Sequence, residues 1–258
     1  MANALSLALL LTAAGSSRRF SDSTPTPTPT STPSALRPKK EFYLLHAKEP
    51  VLVSALSSCL RAVRSRTDSP ALTRIIVTYT PGMLAAFEGI LAPLEEEVVS
   101  LLTLVEGGST RQESVRLGLE AIAAASAAPD IVMIHDACRP WVSPEVVNMT
   151  IDAANQYGGA APFLPIVDAL KQVDERGRIC RHLDREQLGG IQTPQTFRFA
   201  EILAAHRQAR HQGRQYHDDT EVYTAAGGMV QTVPGDPDNR KITFRHDVPA
   251  QADNLFKE

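Results

Sequence analysis

The sequence has 258 residues, 43% of them apolar, and a formal net charge of −3. This is enough chain for one sizeable α/β core, and too little net charge to mark a nucleic-acid partner. Three cysteines, Cys59, Cys138 and Cys180, are odd in number, far apart and without metal-ligand spacing, which argues against a disulfide framework or a zinc site and makes a reducing, cytoplasmic setting the default.

In chain order, the apolar run from Leu5 to Leu11 reads as a strand over 5–11. It is far short of the roughly 20 residues of a membrane span, and no Lys or Arg precedes it to suggest a secretory leader. Residues 21–37, with proline alternating from Thr24 to Thr30, can form neither helix nor paired strand and read as an extended surface insert, a passive linker. Apolar residues at helical spacing predict helices over 50–63, 82–92, 111–125, 144–156 and 198–210. The fourth opens with Ser143 as N-cap and Pro144 at the first helical position. Runs rich in β-branched and aliphatic residues predict further strands near 73–79, 98–105, 130–135, 159–164 and 229–233. The alternation predicts a single α/β domain over 1–258, an open, doubly wound, mostly parallel, Rossmann-like sheet with its site at the strands' carboxyl ends. The stretch 166–187 breaks the rhythm. Two short strand-like runs flank Glu175-Arg176-Gly177, predicting a β-hairpin arm that projects from the domain and can grip a partner subunit.

Five segments carry candidate chemistry. Thr12-Ala13-Ala14-Gly15-Ser16-Ser17-Arg18-Arg19-Phe20 follows the first strand, where small residues let backbone N–H groups approach a phosphate and two arginines add charge. It is neither a P-loop nor a dinucleotide fingerprint. Beyond the insert, Arg37-Pro38-Lys39-Lys40-Glu41-Phe42 brings more positive charge to the same end of the sheet. Gly107 and Gly108 open a helix in which Arg111 and Ser114 point the same way, and Gly108 leaves room for a flat base near the backbone. The strand 131–135 ends in His135-Asp136-Ala137-Cys138-Arg139-Pro140, at the edge where ligands of open α/β sheets sit. There Asp136 suits a ribose hydroxyl or a magnesium-bound phosphate, and Arg139 either locks the loop or faces phosphate. The turn Pro234-Gly235-Asp236-Pro237-Asp238-Asn239-Arg240-Lys241 can return Lys241 to the site. Each segment alone also fits a plainer reading: a solvated turn, a capped helix start, or a structural Asp–Arg pair.

Together and in this order, the segments resemble the 2-C-methyl-D-erythritol 4-phosphate cytidylyltransferase family. The similarity extends to Leu183-Asp184-Arg185, to Ile191-Gln192-Thr193-Pro194-Gln195-Thr196-Phe197, to Asp218-Asp219 and to Asn239-Arg240-Lys241-Ile242-Thr243. The resemblance implies a nucleotidyltransferase that moves CMP from CTP to a sugar-alcohol phosphate and releases pyrophosphate. It further implies Mg²⁺ carried mainly by the CTP phosphates, no dedicated metal ligands, and a homodimer joined through the 166–187 arm. Arg19, Lys40, Arg185 and Lys241 take the catalytic roles, with Lys40 preferred to Lys39 because it precedes Glu41-Phe42. Ala13, Ala14, Gly15, Gly108, Arg111, Ser114, Asp136, Ala137 and Arg139 are implied around the nucleotide. Arg185, Asp238, Lys241, Ala169 and His217 are implied around the acceptor.

Some positions depart from the family pattern. Ser17 stands in place of a usual glycine, Ala169 and His217 in place of threonines near the acceptor, and Arg240 in place of isoleucine. Three other readings stand beside this one. Ribitol 5-phosphate is a neighbouring acceptor, and a non-catalytic nucleotide-binding relative would keep the fold. A dinucleotide-dependent oxidoreductase shares the sheet but lacks its fingerprint here. Neither a nucleic-acid nor a membrane partner is expected.

Overall fold

The computed structural model describes residues 5–15, 20, 39–45 and 49–248. In chain order the strands are β1 (Ser6–Thr12), β2 (Ala71–Tyr79), β3 (Leu102–Glu106), β4 (Ile131–Asp136), β5 (Gly159–Pro165), β6 (Lys171–Val173), β7 (Ile179–His182), β8 (Gly189–Ile191), β9 (Gln195–Arg198) and β10 (Val230–Pro234). The helices are α1 (Val51–Arg64), α2 (Leu84–Leu91), α3 (Glu96–Leu101), α4 (Arg111–Ala123), α5 (Pro144–Tyr157), α6 (Phe199–His211) and α7 (Asp219–Ala225).

Seven strands run in the order β10-β5-β9-β4-β1-β2-β3, and β8 adds to β5. β1 pairs parallel with both β2 and β4, whereas β9 lies antiparallel between β4 and β5. The chain winds from β1 outward through β2 to β3, then returns to β1's other side as β4. That reversal leaves a crevice at the carboxyl ends of β1 and β4, where Thr12 and Asp136 are register partners.

The central strands are apolar on both faces because helices cover both. Leu7, Leu9 and Leu11 of β1 pack with Leu52 and Leu56 of α1, Phe87 of α2 and Val147 of α5. The alternate residues Ala8 and Leu10 pack with Val115 and Leu119 of α4 and Ile202 of α6. Two-sided burial explains why β1 reads as an unbroken apolar run instead of an alternating one.

The predicted strand over 98–105 begins too early, because Glu96–Leu101 is helix and the strand starts at Leu102. Val98 and Leu101 turn their apolar faces onto the same core as the strand, so an unbroken apolar run concealed the change of period. Ser143 stands at the N-cap of α5 without bonding the helix through its side chain, and Pro144 opens the helix as read. The hairpin arm is present: β6 and β7 pair antiparallel, off the main sheet. Its turn is made at Gly177, whose φ of 75° is a conformation that favours glycine. Ser17, Arg19 and the insert 21–37 lie outside the described residues.

Candidate active site at the β1–β4 crevice

Asp136, the last residue of β4, is buried and gathers three cations. Its Oδ2 lies 2.8 Å from Lys241 Nζ and 3.7 Å from Arg139 Nε, and its Oδ1 lies 3.2 Å from Arg111 Nε. Thr12 Oγ1 also donates to Oδ1 at 3.2 Å. Burial alone would push the Asp136 carboxyl up, but Lys241, Arg111 and Arg139 outweigh it and hold it well below the usual carboxylate range. Arg111 stays firmly protonated for the matching reason: burial opposes its charge, and Asp219 and Asp136 more than compensate.

A chain of hydrogen bonds of fixed polarity shapes the loop after β4. The Arg139 carbonyl can only accept, so His135 Nε2 carries a proton and donates to it at 2.9 Å. His135 Nδ1 is then an acceptor, and Thr193 Oγ1 donates to it at 3.0 Å. Thr193 Oγ1 in turn accepts from the Asp136 N–H at 3.1 Å. Burial pushes the His135 pKa down to about 4, so it works as a neutral brace. Arg139 Nη1 donates to the Asn239 carbonyl at 2.7 Å, and Asn239 Nδ2 donates to the Thr193 carbonyl at 2.8 Å. Of the two roles read for Arg139, the observed contacts are those of a lock between loops.

The glycine loops meet across the crevice. A Cβ on Gly107 would stand 2.2 Å from the Ala14 Cβ, and one on Gly108 would stand 2.2 Å from Glu113 Cγ. Both glycines are therefore required by close approach within the protein. Ser114 Oγ accepts from the Gly108 N–H at 3.1 Å and donates to the Thr110 carbonyl at 2.9 Å, so Ser114 shapes the loop. Thr110 caps α4 by accepting from the Glu113 N–H. Ala13 and Ala137 are buried, and their N–H groups donate to the carbonyls of Thr78 and Thr12, while Gly15 is exposed.

The adjacent lysines diverge. Lys39 Nζ reaches the Gly15 carbonyl at 2.8 Å and Thr80 Oγ1 at 3.2 Å, whereas Lys40 Nζ reaches the Ile242 carbonyl at 3.1 Å. Burial lowers the Lys39 pKa. For Lys40 burial acts the same way, but Cys138, Glu41 and Asp136 tip the balance upward. By these contacts Lys39, the neighbour not chosen from the motif, is the one on the glycine loop.

The acceptor candidates are dispersed. Lys241 is within the Asp136 cluster, while Asp238 is exposed on the neighbouring turn, its N–H on Asp236 Oδ1 at 2.8 Å. His217 is exposed ahead of α7. Ala169 and Arg185 lie on the exposed arm, and Arg185 Nη1 donates to the Val167 carbonyl of that same arm. The structure thus brings Asp136, Arg111, Arg139 and Lys241 together, whereas the Arg185 hydrogen bond is made within the arm.

Four residues of this network carried no role in the sequence reading: Thr193, Asp219, His206 and Asn239, all buried. Thr193, Asp219 and Asn239 lie inside motifs that carry the resemblance, but only their burial marks them as braces. Among the described residues no group of three or more His, Cys, Asp or Glu side chains is arranged to hold a metal, and no helix is long and apolar enough to cross a membrane.

Comparison with known proteins identifies the family. The family model described as IspD: 2-C-methyl-D-erythritol 4-phosphate cytidylyltransferase matches residues 38–257. A "Bifunctional enzyme IspD/IspF" of Rhodopseudomonas palustris (strain HaA2) is 40% identical over 196 residues, covering 76% of this chain and 47% of its own length. The chain thus spans about half the length of the curated relatives it matches. The crystal structure of 2-C-methyl-D-erythritol 4-phosphate cytidylyltransferase from Thermus thermophilus superposes with a TM-score of 0.67 at 28% identity, over 93% of this chain and 94% of that one. A 4-diphosphocytidyl-2C-methyl-D-erythritol synthase from Anaerococcus prevotii shares the fold, with a TM-score of 0.72 at 22% identity over 95% and 93% of the two chains. With the family model matched over most of its length, the chain belongs to the 2-C-methyl-D-erythritol 4-phosphate cytidylyltransferase family.

Proposed function

We propose that the chain transfers CMP from CTP to the phosphate of 2-C-methyl-D-erythritol 4-phosphate, a step of non-mevalonate isoprenoid precursor synthesis. The observation that carries this reading is the meeting of Arg111, Arg139 and Lys241 around buried Asp136 at the sheet's switch point. An oxygen of the acceptor phosphate attacks the α-phosphorus, the bond to the β-phosphate oxygen breaks, and pyrophosphate leaves. No protein nucleophile is needed, because positioning and cationic stabilisation supply most of the rate.

The glycine loops, with Ala14 against Gly107, border the space for CTP, and Asp136 accepts from a ribose hydroxyl or faces a metal-bound phosphate. Arg19 and Lys40 stabilise charge on the triphosphate, and Lys241 and Arg185 hold the acceptor phosphate. Asp136 is a hard oxygen donor held ionised, which fits Mg²⁺ carried mainly on the triphosphate; the ion would neutralise phosphate charge. The setting is cytoplasmic and the assembly a homodimer through the 166–187 arm, whose Val167, Val173 and Ile179 are exposed.

Ala169 and His217 favour testing ribitol 5-phosphate as a second acceptor. CTP labelled at its α-phosphate, offered to both acceptors in Mg²⁺ and in chelator, tests the reading. Label should move to the methylerythritol acceptor faster than to ribitol 5-phosphate, and only with the metal. The reverse preference would assign the protein to the other acceptor, and full activity in chelator would remove the metal from the account.

A further inference from the structure

Arg111 opens α4 and is divided between two carboxylates. Its Nη1 is ion-paired with Asp219 Oδ2 at 2.8 Å and its Nε meets Asp136 Oδ1 at 3.2 Å. Its Nη2 is buried and, among the described residues, has no hydrogen-bond partner. Asp219, at the first turn of α7, is fully buried and fixed from two further directions. Its N–H donates to Gln195 Oε1 at 3.1 Å, and its Oδ1 lies 3.2 Å from His206 Nε2 of α6.

The division is not what an arginine beside a single carboxylate adopts. Planar guanidinium prefers a two-pronged grip, with Nε and one Nη on the two oxygens of one carboxylate. Here Asp136 receives only Nε, while the far end of the guanidinium is ion-paired with Asp219 and the other Asp136 oxygen faces Lys241. Two consequences follow. Asp136 keeps Oδ2 for Lys241, and the Arg111 Nη2 donor, which lies between the two occupied positions, stays uncommitted.

We propose that Asp219, braced by His206, is a positioning residue: it prevents Arg111 from chelating Asp136, so that Asp136 and the Arg111 Nη2 donor remain available to the nucleotide. The proposal rests on the reading of this crevice as the CTP site. It differs from a stability role, in which a buried pair matters only to folding.

The test is Asp219→Asn, which keeps the side chain's shape and removes its charge. The Michaelis constant for CTP should rise about tenfold, the scale of one charge-assisted hydrogen bond, with little change in turnover or in the acceptor's Michaelis constant. In an Arg111→Ala background the same substitution should add nothing further, since there is no guanidinium left to misplace. A crystal structure of Asp219→Asn should show Arg111 Nε and Nη2 both on Asp136. This last readout needs no activity, so it decides the proposal even if the wild-type protein proves not to use CTP. If Asp219→Asn does not fold, His206→Gln, which loosens only the far oxygen of Asp219, should shift the CTP constant in the same direction by a smaller factor. An unmoved Arg111, or losses that simply add in the double variant, would overturn the proposal.

Discussion

Lys241 Nζ lies 2.8 Å from Asp136 Oδ2, so the cation assigned to the acceptor phosphate is in direct contact with the carboxylate assigned to the nucleotide. On the proposed function, the two half-sites share this ion pair. Lys241→Ala should lower turnover by about 100-fold and raise the Michaelis constant for the acceptor, with a smaller effect on that for CTP. Steady-state kinetics with each substrate varied in turn measures this. A defect confined to CTP would place Lys241 on the nucleotide side alone.

The diverging lysines predict two phenotypes. Lys39 holds the Gly15 carbonyl, so Lys39→Ala should loosen the loop and raise the Michaelis constant for CTP severalfold. Lys40→Ala should instead lower turnover by about 100-fold with modest change in CTP affinity if, as proposed, its charge acts on the departing pyrophosphate. Reversed phenotypes would mean that the motif across the insert is displaced by one residue.

Stability should fall as the solution is acidified from pH 6.5 towards 4. Burial lowers the His135 pKa from 6.5 to about 4. Within that window the unfolded chain binds a proton that the folded chain refuses, so stability rises with pH across it and is lost as pH falls. The full contribution is on the order of 3 kcal/mol. Chemical denaturation at several pH values checks this, with His135→Gln expected to flatten the slope. The depressed carboxyls of Asp136 and Asp219 act lower, below the ordinary carboxylate value of 3.8. A wild-type curve that is flat between pH 6.5 and 4 would contradict the neutral brace.

Much of the sheet is legible in the sequence because its strands either carry unbroken apolar runs, as β1 and β4 do, or are separated by helices long enough to show their period. The arm is legible from Gly177 between two short runs. β9 is not: it has four residues, only Phe197 apolar, directly after Pro194, too few for any period to emerge. α7 is also short, at seven residues, and its start is marked only by Asp218, whose side chain accepts from the Glu221 N–H. In the site, Asp136, Arg111, Arg139 and Lys241 could be read from strand-tip and turn motifs. Thr193 and His206 could not, because their importance lies in burial and bonding partners 58 and 13 residues away in sequence.

The exchanged-arm reading predicts complementation. Arg185 sits on an exposed arm that has little core of its own, and isolated hairpins are marginal in water. In a symmetric dimer with exchanged arms, Arg185 serves the partner's acceptor site. Lys40→Ala and Arg185→Ala should each be nearly inactive alone, yet a mixed dimer has one site with both defects and one intact. Co-refolding the two variants should restore activity. An inactive mixture with proven heterodimers would place Arg185 in its own subunit's site or outside catalysis.

The most direct test of cytidylyl transfer is pyrophosphate release from CTP in Mg²⁺, measured with and without 2-C-methyl-D-erythritol 4-phosphate. Release should depend on the acceptor and equal, mole for mole, the CDP-linked product formed. Pyrophosphate released at the same rate without acceptor, or none released with it, would contradict the assignment of the β1–β4 crevice as a cytidylyltransferase site.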